Sequence, residues 1–199
     1  MLWLCPTQAI AEVSALVEFL STLNTFEARF SQQVFDDDGE LTDSSAGRCA
    51  IKKPRRFFWR YETPYAQLIV SNSEVLWIFD EDLEQATLGE LDDGANGSPA
   101  YLLGSDINVE ALYDITSVET SGAVEWFELA HKQASEDFQN VRLAFDGERV
   151  VGLALTDRLG QRTVVEFDEM RINQGLPDAL FEFEPPPGVD VVRAMRPEP

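Results

Sequence analysis

The sequence predicts a mainly β fold with a few helices, of the α+β class, in which one antiparallel sheet in meander order curls into a barrel or half-barrel. Three observations lead there. Runs of period-two alternation follow one another from Val124 to Phe167. The stretch Ile51 to Thr87 sets its large rings at the same period on three consecutive strands. Helical periodicity is confined to the N-terminal region and to two short stretches after Asn96.

The first element is a helix over Ala9 to Leu23. Ile10, Val13, Leu16, Val17, Leu20 and Leu23 fall within an arc of roughly 140° at helical pitch, and Asn24 stands where a stop is expected. The period then changes to two, with Phe26, Ala28, Phe30, Gln32 and Val34 along one side of a strand. Asp36-Asp37-Asp38-Gly39 reads as a hairpin turn, since it lacks the carboxylate spacing of a calcium loop. The returning strand, Leu41 to Ile51, carries small residues, Gly47 among them, that leave space beside them.

The aromatic stretch comes next. Phe57, Trp59 and Tyr61 share one face of its first strand, Leu68-Ile69-Val70 forms its second, and Val75, Trp77 and Phe79 share one face of its third. Thr63-Pro64 and Ser71-Asn72-Ser73 supply the turns. Two readings stand open: an ordinary sheet core, or a concave apolar surface that holds a greasy ligand. Ser98 and Pro99 then cap a short helix, Ala100 to Leu103, closed by Gly104, and a second short helix covers Asn108 to Leu112. One turn and a half cannot hold itself, so the first must lean on other structure.

Four strands follow, at Val124 to Lys132, Gln139 to Phe145, Val150 to Thr156 and Gln161 to Phe167, with Asp146-Gly147 as a specific hairpin signal. A strongly curved sheet has a concave face to fill, and the helices are the available plugs. The tail reads as a short strand with Phe181 and Phe183 on one face, ended by Pro185 to Pro187, with Arg193 to Pro199 loose. Residues 12–199 form a single domain on this reading, without linker or internal repeat.

Composition excludes several function classes. With 36 acidic and 15 basic residues the formal net charge is −21, which argues against a nucleic-acid partner. The acidic surplus reads as a solvated exterior, with attraction to a basic partner as the alternative. Cys5 and Cys49 are too few for a disulfide framework, and His131, the one histidine, has no second ligand near it, so neither a metal nor a cofactor is expected. No Gly-x-Ser-x-Gly elbow or local triad partner for His131 occurs, so no catalytic residue is assigned. No apolar run reaches the length of a membrane span. Residues 1–11 read as the remnant of a secretory signal. A competing reading makes Cys5 a lipidation site, although bulky Trp3 and Leu4 precede it.

Taken together, FEARFSQ at 26–32, Lys53-Pro54 followed by Phe57 and Trp59, SNSEVLWIF at 71–79, LEQAT at 83–87, Ser98-Pro99 to Leu103, and FEFEPPPGV at 181–189 resemble the LolA family of periplasmic outer-membrane lipoprotein carriers. The resemblance covers about Phe26 to Val192, and it rests on the order and spacing of the pieces. It implies an unclosed antiparallel β-barrel with a helical lid over a hydrophobic cavity, in the periplasm. Such a chaperone, a monomer and not an enzyme, takes triacylated lipoproteins from an inner-membrane lipoprotein-releasing ABC transporter. It passes them to an outer-membrane lipoprotein receptor.

On that resemblance Phe57, Trp59, Ile69 and Trp77 of the sheet line the lipid site, Phe57 matching a cavity-facing position of the family. Leu16 and Leu20 of the first helix and Tyr101, Leu102 and Leu103 of the lid complete it. The family holds its lid with an arginine before the proline of the strand pair. Here that position is Lys53, which donates from a point rather than a fork and implies a looser latch. A lipid-anchored acceptor of similar fold, modified at Cys5, is the alternative function.

Overall fold

The computed structural model describes residues 6–90, 103, 109–132 and 138–194. A helix, α1 (Pro6–Thr22), is followed by β1 (Thr25–Phe35), β2 (Leu41–Lys52), β3 (Arg56–Thr63), β4 (Gln67–Asn72), β5 (Val75–Asp80) and β6 (Gln85–Glu90). Then come α2 (Val109–Leu112), β7 (Tyr113–Ser121), β8 (Val124–His131), β9 (Phe138–Phe145), β10 (Val150–Asp157) and β11 (Arg162–Ile172). A 3-10 turn (Asp178–Phe181) and β12 (Asp190–Arg193) end the described chain. The strands form one unclosed sheet in the order β12-β6-β5-β4-β3-β2-β1-β11-β10-β9-β8-β7. The chain divides into two compact units, and β1, β2 and β11 give residues to both.

The first unit comprises Met1–Leu23, Gln32–Ser44 and Ile107–Asp168. Its strands keep the alternation the sequence shows. Phe127, Leu143, Leu153 and Val165 stand opposite one another on β8 to β11, as do Leu129, Val141 and Leu155, all on one face. All seven are buried. Leu16 and Leu20 of α1 are buried too, and the Phe19 ring lies 5.8 Å from that of Phe145. The other face is mixed: Arg142 donates to Glu128 on the neighbouring strand at 3.1 Å, beside the Trp126↔Ala144 pair. Both predicted hairpin turns form: Gly39 and Gly147 sit at φ +84° and +94°, where a side chain would be strained. Asp146 accepts the backbone N–H groups of Glu148 and Arg149 at 3.0 Å each.

The second unit comprises Asn24–Ser31, Ser45–Asp106 and Glu169–Pro199. Here β2 bulges between Ala46 and Gly47 as it pairs with β3. The space predicted beside Gly47 is filled by backbone: a Cβ there would meet the carbonyl oxygen of Arg60 at 1.9 Å, so only glycine fits. Asn173, in the left-handed region at φ +53°, accepts the Asn24 N–H at 2.7 Å just beyond the end of α1.

Four expectations need correction. The helix begins at Pro6 instead of Ala9, proline being suited to a first helical position. Tyr113–Ser121, unassigned from the sequence, is β7, an end strand with no buried residue whose register against β8 shifts between Ser117 and Glu119, so that Ile115 and Val118 fall out of a period of two. The Phe181–Phe183 strand is absent, since Phe181 ends a 3-10 turn. The prolines do not end pairing, because Gly188 at φ +94° turns the chain and β12 pairs with β6, in parallel, from Asp190↔Gln85 to Arg193↔Leu88. The predicted helix over Ala100–Leu103 lies outside the described residues except for Leu103, which is helical and buried, while the helix at Asn108 to Leu112 is α2.

Candidate functional site

Register decides which of the aromatic residues can act together. Across β2 to β5, Cys49↔Trp59↔Ile69↔Ile78 and Ile51↔Phe57↔Ser71↔Leu76 stand in two rows, so these eight side chains share one face of the second unit. Trp59 and Phe57 are 1% and 3% exposed, while Ile69 and Ile78 are half-buried. Phe30 of β1 lies on this face too, its ring 4.5 Å from that of Trp59 and 5.2 Å, edge-on, from Tyr61. The one thiol there, Cys49, is buried and free, and burial pushes its pKa up, so it remains a protonated, apolar group.

The opposite face carries a second apolar row: Ala50↔Phe58↔Val70↔Trp77↔Leu88 cross the same strands. Trp77 therefore lies on the side away from Phe57, Trp59 and Ile69. The β4–β5 turn pairs Ser71 with Leu76, which puts the even-numbered residues of β5 on the Phe57 face. Residues 176–183 cover the part of this face around Trp77 and Phe79. Phe181 is buried, and the ring of Phe183 lies 5.6 Å from Trp77 and 5.3 Å from Phe79. Lys52 Nζ donates to the Leu176 carbonyl at 3.0 Å and to Asp178 Oδ1 at 2.6 Å, and Arg56 Nη1 donates to the same oxygen at 2.7 Å. Lys52 and Arg56 face one another across β2 and β3, a like-charge pair that Asp178 bridges. The hydrogen bond and charge of Lys52, followed by Arg56, hold the Asp178 carboxyl below its ordinary value.

Of the sequence-predicted site residues, the structure thus brings together Phe57, Trp59 and Ile69. Leu103 belongs to the same unit, Tyr101 and Leu102 lie outside the described residues, and Leu16 and Leu20 belong to the first unit. Lys53 sits at the β2–β3 turn, where its backbone N–H donates to the Asn24 carbonyl at 2.9 Å. His131 ends β8 with its ring edge-on to Tyr113 at 4.9 Å. Leu76, Ile78 and the clasp of Lys52, Arg56 and Asp178 are not among the residues the sequence pointed to. The apolar alternation of β5 offered both parities, and only pairing chooses between them. The first unit holds a groove of about 370 Å³, lined by Trp126, Asn140, Arg142 and Arg162 among others, which is polar and contains none of the predicted site residues.

A family model described as outer membrane lipoprotein carrier protein LolA matches residues 21–184. The outer-membrane lipoprotein carrier protein of Nitrosospira multiformis is 36% identical over 90% of this chain and 87% of its own length. That of Legionella pneumophila (strain Corby) is 39% identical over 94% of this chain and 91% of its own. The crystal structure of a LolA superfamily protein from Nitrosomonas europaea shares the fold, with a TM-score of 0.51 at 16% identity, over 88% of this chain and 97% of that one. The match of family model and curated relatives over most of the sequence places this chain in the LolA family of outer membrane lipoprotein carrier proteins.

Proposed function

We propose that this protein is a periplasmic chaperone that shelters the acyl chains of lipoproteins released from the inner membrane and delivers them to an outer-membrane receptor. Family membership supports the role. The observation that carries the placement of the site is the Phe57 face, where Phe30, Phe57, Trp59, Ile69, Leu76 and Ile78 give four strands one continuous apolar surface. On its opposite face, residues 176–183 already cover Trp77 and Phe79. Shelter is needed because each methylene left in water costs about 0.8 kcal/mol, so one sixteen-carbon chain costs on the order of 12 kcal/mol.

The cargo is a triacylated lipoprotein, the donor an inner-membrane releasing ABC transporter, and the carrier works as a monomer. Transfer down a gradient of affinity needs no catalytic group. Lys53, at the turn that joins β2 to β3, latches the lid segment Ser98 to Leu103 through its ammonium group, in place of the arginine usual to the family. The protein from residue 12 onward acts as one carrier domain.

Reconstituted transfer tests the role. The purified chain is expected to extract a triacylated lipoprotein from inner-membrane vesicles bearing the releasing transporter; lipoprotein that stays with the vesicles at stoichiometric carrier would refute it. In the same assay Lys53→Leu is expected to change release to the receptor more than uptake. Unaltered release kinetics would remove Lys53 as the latch.

A further inference from the structure

The acidic surplus of this chain hides one basic region. Six of its fifteen basic residues fall between Arg48 and Arg60, a segment with no acidic residue. On the strands, Arg48 and Arg60 stand directly opposite one another across β2 and β3, as Lys52 and Arg56 do. Like charges so placed repel and must be held by carboxylates brought from elsewhere. Lys52 and Arg56 share Asp178, whereas Arg60 donates to Glu81 at 2.6 Å. Arg48 and Arg29 of β1 divide a single carboxylate, Glu62, at 3.2 and 3.4 Å.

That last arrangement leaves capacity unused. Arg29 and Arg48 are 52% and 58% exposed, each touches Glu62 through one nitrogen, and each guanidinium has five N–H donors. The Arg48 guanidinium lies 5.8 Å above the Phe58 ring, whose apolar surface backs it. Three arginines on three neighbouring strands against two carboxylates thus make a narrow cationic band on the Phe58 face of the second unit.

We propose that this band, Arg29, Arg48 and Arg60 around Phe58, docks a short acidic polypeptide segment of a partner protein. The occupant follows from charge complementarity and from size. An anionic membrane is a plane that would meet the surrounding acidic surface together with the band, and at a Debye length of about 8 Å that repulsion is felt. A narrow acidic segment presents its carboxylates to the band alone. Forked contacts from Arg29 and Arg48 then supply orientation as well as attraction. The docking face is the one opposite Phe57, so the inference stands apart from the placement of the acyl chains.

The test uses the full chain and a fluorescent oligoglutamate peptide, with an oligoglutamine peptide and phosphatidylglycerol vesicles as comparison probes. Oligoglutamate is expected to bind in a salt-sensitive way and to shift the Arg29 and Arg48 Nε–H resonances. Replacing both by glutamine, R29Q with R48Q, is expected to weaken binding at least about fivefold, whereas the lysine pair recovers part of it. The control pair R142Q with R149Q removes the same charge from the first unit and is expected to change binding less than about twofold. Thermal melting verifies that each variant is folded, and lipoprotein extraction is run in parallel. Equal weakening by both pairs, no oligoglutamate binding, or Arg48-dependent binding to the vesicles in preference to the peptide would overturn the proposal. Lost peptide binding with intact extraction leaves the carrier role standing; lost extraction in the unmodified chain would sink that role alone.

Discussion

In the unit built on β8 to β10, large apolar side chains other than Trp126 keep to one face, which α1 covers through Phe19, and the rest of the other face is polar or small. In the unit built on β3 to β6 they occupy both faces, and the C-terminal segment covers part of one of them. The first arrangement is the usual economy of a half-buried antiparallel sheet. The second is costly unless both faces have something to bury. The Trp77 face has Phe181 and Phe183; the Phe57 face is the one proposed above for acyl chains. The difference also shows in charge: the second unit clasps its cover with a carboxylate between two cations, whereas the first brings two carboxylates, Glu12 and Glu125, together.

The largest effect is expected where the cover is anchored. Phe181→Ala removes a buried ring and should lower stability by about 3–5 kcal/mol, read as a shift in the denaturant midpoint. A loss under about 1 kcal/mol would mean that the segment packs weakly and that the two faces are not so unequal.

Smaller, and opposite in sign, are two pH-dependent effects. Asp178 has a folded pKa held below the ordinary value by Lys52 and Arg56. The folded state therefore binds fewer protons, and the clasp contributes stability above the ordinary carboxylate range that is lost as pH falls through the depressed value. Asp178→Asn should thus lower the Tm at neutral pH, with the gap closing below about pH 4. Glu125 is raised by burial and by its neighbour Glu12, against the hydrogen bond donated by Ser117. Stability associated with its protonation is present at low pH and lost as pH rises through the raised value, so Glu125→Gln should raise the Tm at neutral pH and have little effect in acid. Melting curves of both variants across pH check the pair, and shifts of the same sign would break the contrast between the units.

Much of this arrangement was legible beforehand. Alternation located most of the strands, and the hairpins at Gly39 and Gly147 followed from turn chemistry. Two strands escaped for physical reasons: β7 is an end strand with no buried residue, its period broken by a register shift against β8, and β12 has four residues whose pairing partner, β6, lies about a hundred positions earlier. The site was legible in its residue types but not in its faces. Phe57, Trp59 and Ile69 share one side, as their periods suggested, yet Trp77 went to the other because the geometry of one turn sets the parity of the whole following strand. The clasp of Lys52, Arg56 and Asp178 was invisible for a different cause, since nothing local in the sequence announces an ion pair across more than 120 positions.

The placement of cargo on one face of that sheet is the central claim, and site-specific photocrosslinking reads it directly. A photoreactive benzoylphenylalanine introduced at Phe57, at Ile69 or at Trp77, in carriers shown by melting to be folded, is loaded with a triacylated lipoprotein and irradiated. Crosslinks to the acyl chains from positions 57 and 69, with none above background from 77, are the predicted result. Crosslinks from 77 equal to or exceeding those from 57 would contradict it.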